Sequence, residues 1–357
     1  MRAMTVRPGA AGSAAVTTIE SPAGSGDVLV EGLFVGICGT DRDIAEGLYG
    51  TAPPGRDRLV LGHESLGRVR DAPAGSGLAP GDLVAGIVRR PDPEPCPACA
   101  VGAWDMCRNG RYTERGIKEL DGYGAEQWRV EAEFAVPVPA ELGELGVLIE
   151  PASVVAKVWD HIEHIAGRSP VRMGRALITG AGPIGLLAAL AAAQRDLEVH
   201  VLDRVTTGPK PDLVADLGAR YHTGEVTDVP EPDVVVECTG ASPVVVEVLR
   251  HTGRAGIVCL TGVSTGGRTL PVDVGAVNRE LVLENDVVFG SVNANRGHYE
   301  AACRSLGAAD ASWLRRVITR RVPLDRWADS LEPDVDDIKV LVDLAPTTVT
   351  EGGTAPG

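Results

Sequence analysis

The sequence predicts an α/β chain of two units, a β-rich unit and a doubly wound parallel sheet, and three observations carry that expectation. The stretch Ala176 to Arg204, ALITGAGPIGLLAALAAAQRDLEVHVLDR, reads as strand, tight turn, helix, strand. From there to about Gly290, β-branched runs alternate with helical ones, the pattern of a parallel sheet. Before about residue 150, short apolar runs are instead cut by Gly/Pro turns, the pattern of a small barrel-like domain.

The early runs are Asp27 to Phe34, Leu59 to Leu61, Leu66 to Val69 and Asp82 to Val88. Helical pattern begins at Glu150 to Ile165, EPASVVAKVWDHIEHI. After the strand–turn–helix–strand stretch come a helix at Leu213 to Leu217, a strand at Asp233 to Glu237, a helix at Pro243 to His251 and a strand at Gly256 to Leu260. The chain closes with an apolar run, Ile338 to Leu344, which could complete the first unit and make it discontinuous. The expected division is residues 1–165 with 291–357 for the β-rich unit, and 166–290 for the parallel sheet.

Bulk properties narrow the function classes. The 357 residues suffice for two domains with a real core. A net charge of −15 argues against a nucleic-acid partner. The N-terminus, MRAMTVRPGA, carries no apolar export signal, and seven cysteines then read as thiols or metal ligands of a cytoplasmic protein. Ala176 to Gln194 is uncharged and nearly long enough to span a bilayer. Gly180, Gly182 and Pro183 would break such a helix at its start, so the segment reads as a helix packed between layers, and no membrane partner is expected. The last thirteen residues, Ala345 to Gly357, are polar and Gly/Pro-rich and are expected to be loose.

The glycines of the central stretch, Gly180, Gly182 and Gly185, are spaced G-x-G-x-x-G, with Pro183 and Ile184 opening the helix. Gly180 permits the turn, Gly182 lets the backbone approach a pyrophosphate, and Gly185 allows helix to pack on strand. Asp203 follows Gly185 by eighteen residues, where a carboxylate accepts from a ribose hydroxyl.

Two clusters carry metal chemistry. Cys38 in GICGTD, His63 and Glu64 in LGHES, and Glu150 in IEPAS form the thiolate, imidazole and carboxylate set that zinc takes. Singly, Cys38 could be a buried thiol, His63 a hydrogen-bonded turn residue and Glu150 a helix-start carboxylate. Cys96, Cys99 and Cys107 in CPACAVGAWDMC form a metal-knuckle pattern. No cysteine supplies a fourth ligand locally; Asp92 and Glu94, just before the knuckle, could do so, and a reduced, metal-free loop is the plainer alternative.

Together these motifs resemble the zinc-dependent medium-chain dehydrogenases, specifically their glucose dehydrogenase branch. The resemblance runs from GICGTD through LVLGHESLGRV, GDLVAGIVRRP, TERGI, EPASVVAKV and GAGPIG to FGSVNANRGHYE. It implies a GroES-like catalytic domain interrupted by a Rossmann domain, with the active site between them. It implies a catalytic zinc on Cys38, His63 and Glu150, with Glu64 as an exchanging or outer ligand and Thr40 as proton relay. Glu114 falls where the branch holds a sugar hydroxyl, and Asn293 where it contacts sugar and nicotinamide. A structural zinc lobe in the wider superfamily has four cysteines; here Pro93 stands at the first position, and Asp92 is the nearest replacement.

The implied reaction oxidises C1 of an aldose to the lactone with NAD(P). Another polyol or secondary alcohol, a non-catalytic dinucleotide sensor and a zinc-independent reductase are the rival expectations; the retained ligand set speaks against the last two. Asp203 would repel the extra phosphate of NADP, so NAD is the expected cofactor, although Arg204 could lie on adenine or reach a phosphate. By resemblance the assembly is a homotetramer or dimer, joined along strands near Val287 to Val292.

Overall fold

The computed structural model describes residues 1–23, 27–264, 266 and 269–345. Apart from Ala345, the tail expected to be loose lies outside the described residues.

Six parallel strands form one sheet. In spatial order they are Arg220–His222, Glu198–Leu202, Arg175–Thr179, Val234–Glu237, Ile257–Leu260 and Val287–Gly290. Numbered along the chain this is 3-2-1-4-5-6, and the direction of winding reverses between Arg175–Thr179 and Val234–Glu237. Ligands of such sheets bind outside the strand ends at that reversal. The inner strands are apolar on both faces because helices cover both, which is why VVVE and ALIT read as continuous runs rather than alternating ones. Helix Pro183–Ala193 is buried from Gly185 to Ala192, between the sheet and helix Ile149–Ala166. That burial accounts for its lack of charge; among the described residues no helix is long and apolar enough to cross a membrane.

A seven-stranded sheet is centred on Val28–Ile37, which pairs antiparallel with Glu64–Asp71, Gln127–Val130 and Lys339–Asp343. The apolar run near the C-terminus therefore lies on this sheet, with Val340 opposite Ile37 and Asp343 opposite Phe34. Val28–Ile37 outlasts the run expected to end at Phe34, since Gly32 and Gly36 sit inside the strand rather than ending it. Each marks a close approach: a Cβ at Gly32 would overlap the Ala125 carbonyl, and one at Gly36 the Glu64 carboxylate. Two three-stranded sheets complete this part, one of them joining Arg89–Arg90, Thr113–Arg115 and Glu119–Leu120. The largest apolar core runs without a break from Val28 and Leu66 to Ile178 and Leu187, and so joins both sheets.

Candidate functional site

Strand Val28–Ile37 delivers Cys38 to the start of helix Gly39–Ala45, where the Cys38 backbone N–H donates to Asp41 Oδ2 at 3.0 Å. His63 lies in the turn before strand Glu64–Asp71, and its Nε2 stands 3.1 Å from Cys38 Sγ. Cys38, His63 and Glu64 each bring a ligand atom within 4.8 Å of the others. Glu150 enters from the first turn of helix Ile149–Ala166 and feels the charges of His63, Glu64 and Lys339. Burial pushes its carboxyl up to about 7, against the pull of His63.

Asp41 and Lys339 escaped the sequence reading. Asp41 is fully buried, with Oδ1 3.5 Å from His63 Nδ1. A carboxylate behind the ring in this way orients an imidazole and leaves the other nitrogen for a metal. Burial opposes charge on His63, but Asp41 and Cys38 outweigh it and raise the imidazole well above its usual range. The only forewarning of Asp41 was its place three residues after Cys38, at a helix start. Lys339 is buried too, and its Nζ donates to both Glu64 oxygens at 2.6 Å. A soft thiol, an imidazole and two carboxylates, with His63 and Glu64 buried and Cys38 and Glu150 half-buried, backed by a carboxylate and an ammonium, fit zinc.

Glu114 is buried in strand Thr113–Arg115. Its Oε1 accepts from Arg89 Nε at 3.1 Å and Nη2 at 3.0 Å, and from Asn293 Nδ2 at 2.8 Å. Asn293 follows the last strand of the parallel sheet, so this bond ties the segment after that strand to the three-stranded sheet that carries Glu114. Its φ of +62° is a left-handed conformation that asparagine tolerates better than most residues. Arg89, which no motif had singled out, holds Glu114 from beneath. Thr40 is half-buried in helix Gly39–Ala45, two residues beyond Cys38.

At the nucleotide end, Gly180 has φ +87° and Gly182 caps helix Pro183–Ala193, with Pro183 in its first turn and half-buried Ile184 next. A Cβ at Gly185 would collide with the Gly180 carbonyl, while one at Gly182 would meet no protein atom within 4 Å. Backbone at Gly182 is thus open to an approaching phosphate, and the helix offers its free N–H groups there. Asp203 accepts from Ala181 N at 2.6 Å and Val205 N at 2.9 Å, and pairs with Lys210 Nζ at 3.4 Å. Lys210 was not foreseen; Arg204 is exposed beside it. Buried Glu237, also unforeseen, accepts from Thr179 Oγ1 at 3.2 Å and Thr239 N at 2.8 Å, tying together the two strand ends that flank the crevice.

Cys96, Cys99 and Cys107 bring their sulfurs within 4.8 Å of one another. The Arg108 N–H bond lowers Cys96 to about 6, and burial raises Cys99 to about 11. The Asp92 carboxylate is engaged otherwise, accepting from Glu94 N at 2.8 Å and facing Arg111 Nε at 3.3 Å. Glu94 pairs with Arg111 at 2.8 Å.

Two family descriptions match the chain: "Alcohol dehydrogenase GroES-like domain" over residues 24–140 and "Glucose dehydrogenase C-terminus" over residues 143–344. A glucose 1-dehydrogenase of Methanocella arvoryzae is 39% identical, over 96% of this chain and 99% of its own. One from Thermoproteus tenax has the same identity and coverage. Among solved structures, the glucose dehydrogenase of Haloferax mediterranei in complex with NADP, Zn and gluconolactone is 31% identical. It superposes with a TM-score of 0.90, over 97% of this chain and 100% of that one.

Proposed function

Because this chain belongs to the zinc-dependent medium-chain dehydrogenases, in their glucose dehydrogenase branch, we propose that it oxidises C1 of an aldose to the lactone. The aldose gives up a hydride to the nicotinamide and a proton to solvent. The observation that supports this best is the bond from Asn293 to Glu114, which brings together the two residues expected at the sugar, one of them just after the last strand of the parallel sheet.

Cys38 and His63 would hold the zinc together with Glu150, the third ligand that the resemblance implies, while Glu64, whose oxygen lies within 4.8 Å of the thiol and imidazole, stays paired with Lys339. A zinc bound there supplies Lewis acidity to the anomeric hydroxyl and lowers its pKa. Thr40 takes the released proton toward solvent. Glu114, set by Arg89 and Asn293, accepts from ring hydroxyls, and a sugar lacking one of them leaves a buried carboxylate unpaired. Gly180, Gly182, Pro183, Ile184 and Gly185 form the pyrophosphate turn, and Asp203 takes the adenosine ribose, which favours NAD over NADP. The enzyme works as a dimer or tetramer, supported by exposed Val282 and Leu283 on helix Val274–Glu284, which leads into edge strand Val287–Gly290.

The test is an aldose and polyol panel with NAD and NADP, run with metal analysis on the native protein and on Cys38→Ser. The native protein should prefer an aldose, and Cys38→Ser should lose turnover while still binding NAD. Full activity in zinc-free Cys38→Ser, or a preference for simple secondary alcohols, would overturn the proposal.

A further inference from the structure

Asp105 lies in the short helical turn Trp104–Met106, inside the cysteine lobe between Cys99 and Cys107. It touches none of the expected ligands or substrate contacts. Its side chain is 1% exposed and pairs through Oδ2 with Lys157 Nζ at 2.8 Å, itself 2% exposed on helix Ile149–Ala166. A buried pair of this kind contributes little net stability, because desolvation offsets the attraction. What it does contribute here is a fixed geometry.

Lys157 Nζ also donates to the Val292 carbonyl at 3.0 Å, and Asn295 Nδ2 donates to Asp105 Oδ1 at 3.1 Å. Val292 and Asn295 flank Asn293 and Ala294, so the pair holds this segment at both ends. The Asp105 main-chain carbonyl accepts from Arg89 Nη1 at 3.0 Å. Arg89 and Asn293 then meet again on Glu114 Oε1. The hydrogen bonds close a ring from Asp105 through Asn295 and Asn293 to Glu114, and back through Arg89. Every path from the cysteine lobe to Glu114 in this ring passes through Asp105.

We propose that Asp105 is a positioning residue for the sugar: with Lys157 it clamps residues 292–295 and Arg89, and so holds Glu114 and Asn293 in one orientation. The cysteine lobe thereby sets sugar affinity without touching the substrate. The inference rests on Glu114 and Asn293 being sugar contacts.

The test uses steady-state kinetics on the full chain, with NAD and whichever of D-glucose, D-galactose and D-xylose turns over fastest. Asp105→Asn should raise the sugar KM about tenfold, less than the roughly hundredfold loss that a full 1 Å misplacement can cause, with the NAD KM unchanged. Asn295→Ser keeps a helix-capping side chain and deletes only the amide donor to Asp105; it should shift the sugar KM in the same direction by less. The double variant Asp105→Asn, Lys157→Met removes the unpaired buried ammonium. It should regain thermal stability and still show the raised KM. Recovery of both stability and KM in the double variant would reduce the pair to a structural filler and overturn the proposal. Glu114→Gln and Asn293→Ala separate the two levels. If they raise the sugar KM and neither Asp105→Asn nor Asn295→Ser does, the clamp is refuted while the sugar contacts stand. If they leave it unchanged, both fall together.

Discussion

Lys339 Nζ lies 2.6 Å from both carboxylate oxygens of Glu64, although 275 residues separate the two in the chain. Strand Lys339–Asp343 reaches Glu64 because it pairs with Val28–Ile37, the strand that ends just before Cys38. The end of the chain thus completes the surroundings of residues near its beginning. Burial opposes charge on Lys339, but Glu64 and Cys38 outweigh it and raise the ammonium above its usual value.

Lys339→Met should leave Glu64 as an uncompensated buried carboxylate and cost about 3–5 kcal/mol of stability. Adding Glu64→Gln should recover most of that loss. Urea unfolding of the three proteins measures both steps; a single variant as stable as the parent would show that the pair is not coupled.

Much of this site was legible where it depends on residue type at short range. The glycine turn and Asp203 announce themselves through local spacing, and the Cys38, His63 and Glu64 group through ligand type and the family resemblance. Their partners do not. Lys339 stands at the head of the apolar KVLVD segment and reads as an edge cation until the strand pairing is known. Arg89 and Lys157 look like solvated charges, yet each is buried against a carboxylate brought by another element. Gly32 and Gly36 look like turn residues, whereas they serve close packing inside a strand. Tertiary approach decides each of these cases, and a single sequence does not display it.

For the cysteine lobe, we expect a zinc held by Cys96, Cys99 and Cys107, with Asp92 as fourth ligand once it releases Arg111. Metal analysis should then find two zinc ions per chain, falling to one in Cys99→Ala. Asp92→Asn should weaken retention of the second ion under chelator. A count of one in both the parent and Cys99→Ala would mean that the lobe stays as three thiols.

The pair His200 and His222 should set an acid limit on stability. His200 Nδ1 and His222 Nε2 are 2.8 Å apart, with Glu198, Arg175, Arg220 and Asp228 around them. Burial lowers both imidazoles below 6.5, helped at His222 by the neighbouring His200 and at both by Arg220. The unfolded chain therefore takes up protons that the fold refuses as pH falls through about 6.5, and stability declines from there downward. Replacing His222 with Gln should flatten that decline, by on the order of a few degrees in Tm at pH 5.5 relative to pH 7.5. Parallel pH curves for the two proteins would remove the histidines from the explanation.

We expect cofactor choice to turn on Asp203 and on Lys210, whose Nζ lies 3.4 Å from its carboxylate. The carboxylate already accepts from Ala181 N and Val205 N, which fixes it at the edge of the pyrophosphate turn. Ribose hydroxyls can donate to its remaining lone pairs, as NAD requires. The 2′-phosphate of NADP would instead meet a side chain that is 10% exposed and negative, a repulsion on the order of a few kcal/mol. Lys210 at 3.4 Å offsets part of that charge, and Arg204 is exposed next to Asp203 in the chain, so discrimination should be incomplete. We therefore expect NAD to be favoured mainly through KM. Asp203→Asn should narrow the gap by lowering the KM for NADP. Lys210→Ala should widen it, because the carboxylate then keeps its full charge. Measuring kcat/KM for both cofactors in the three proteins decides the matter. Equal use of NAD and NADP by the parent, unaltered in either variant, would show that neither residue selects the cofactor.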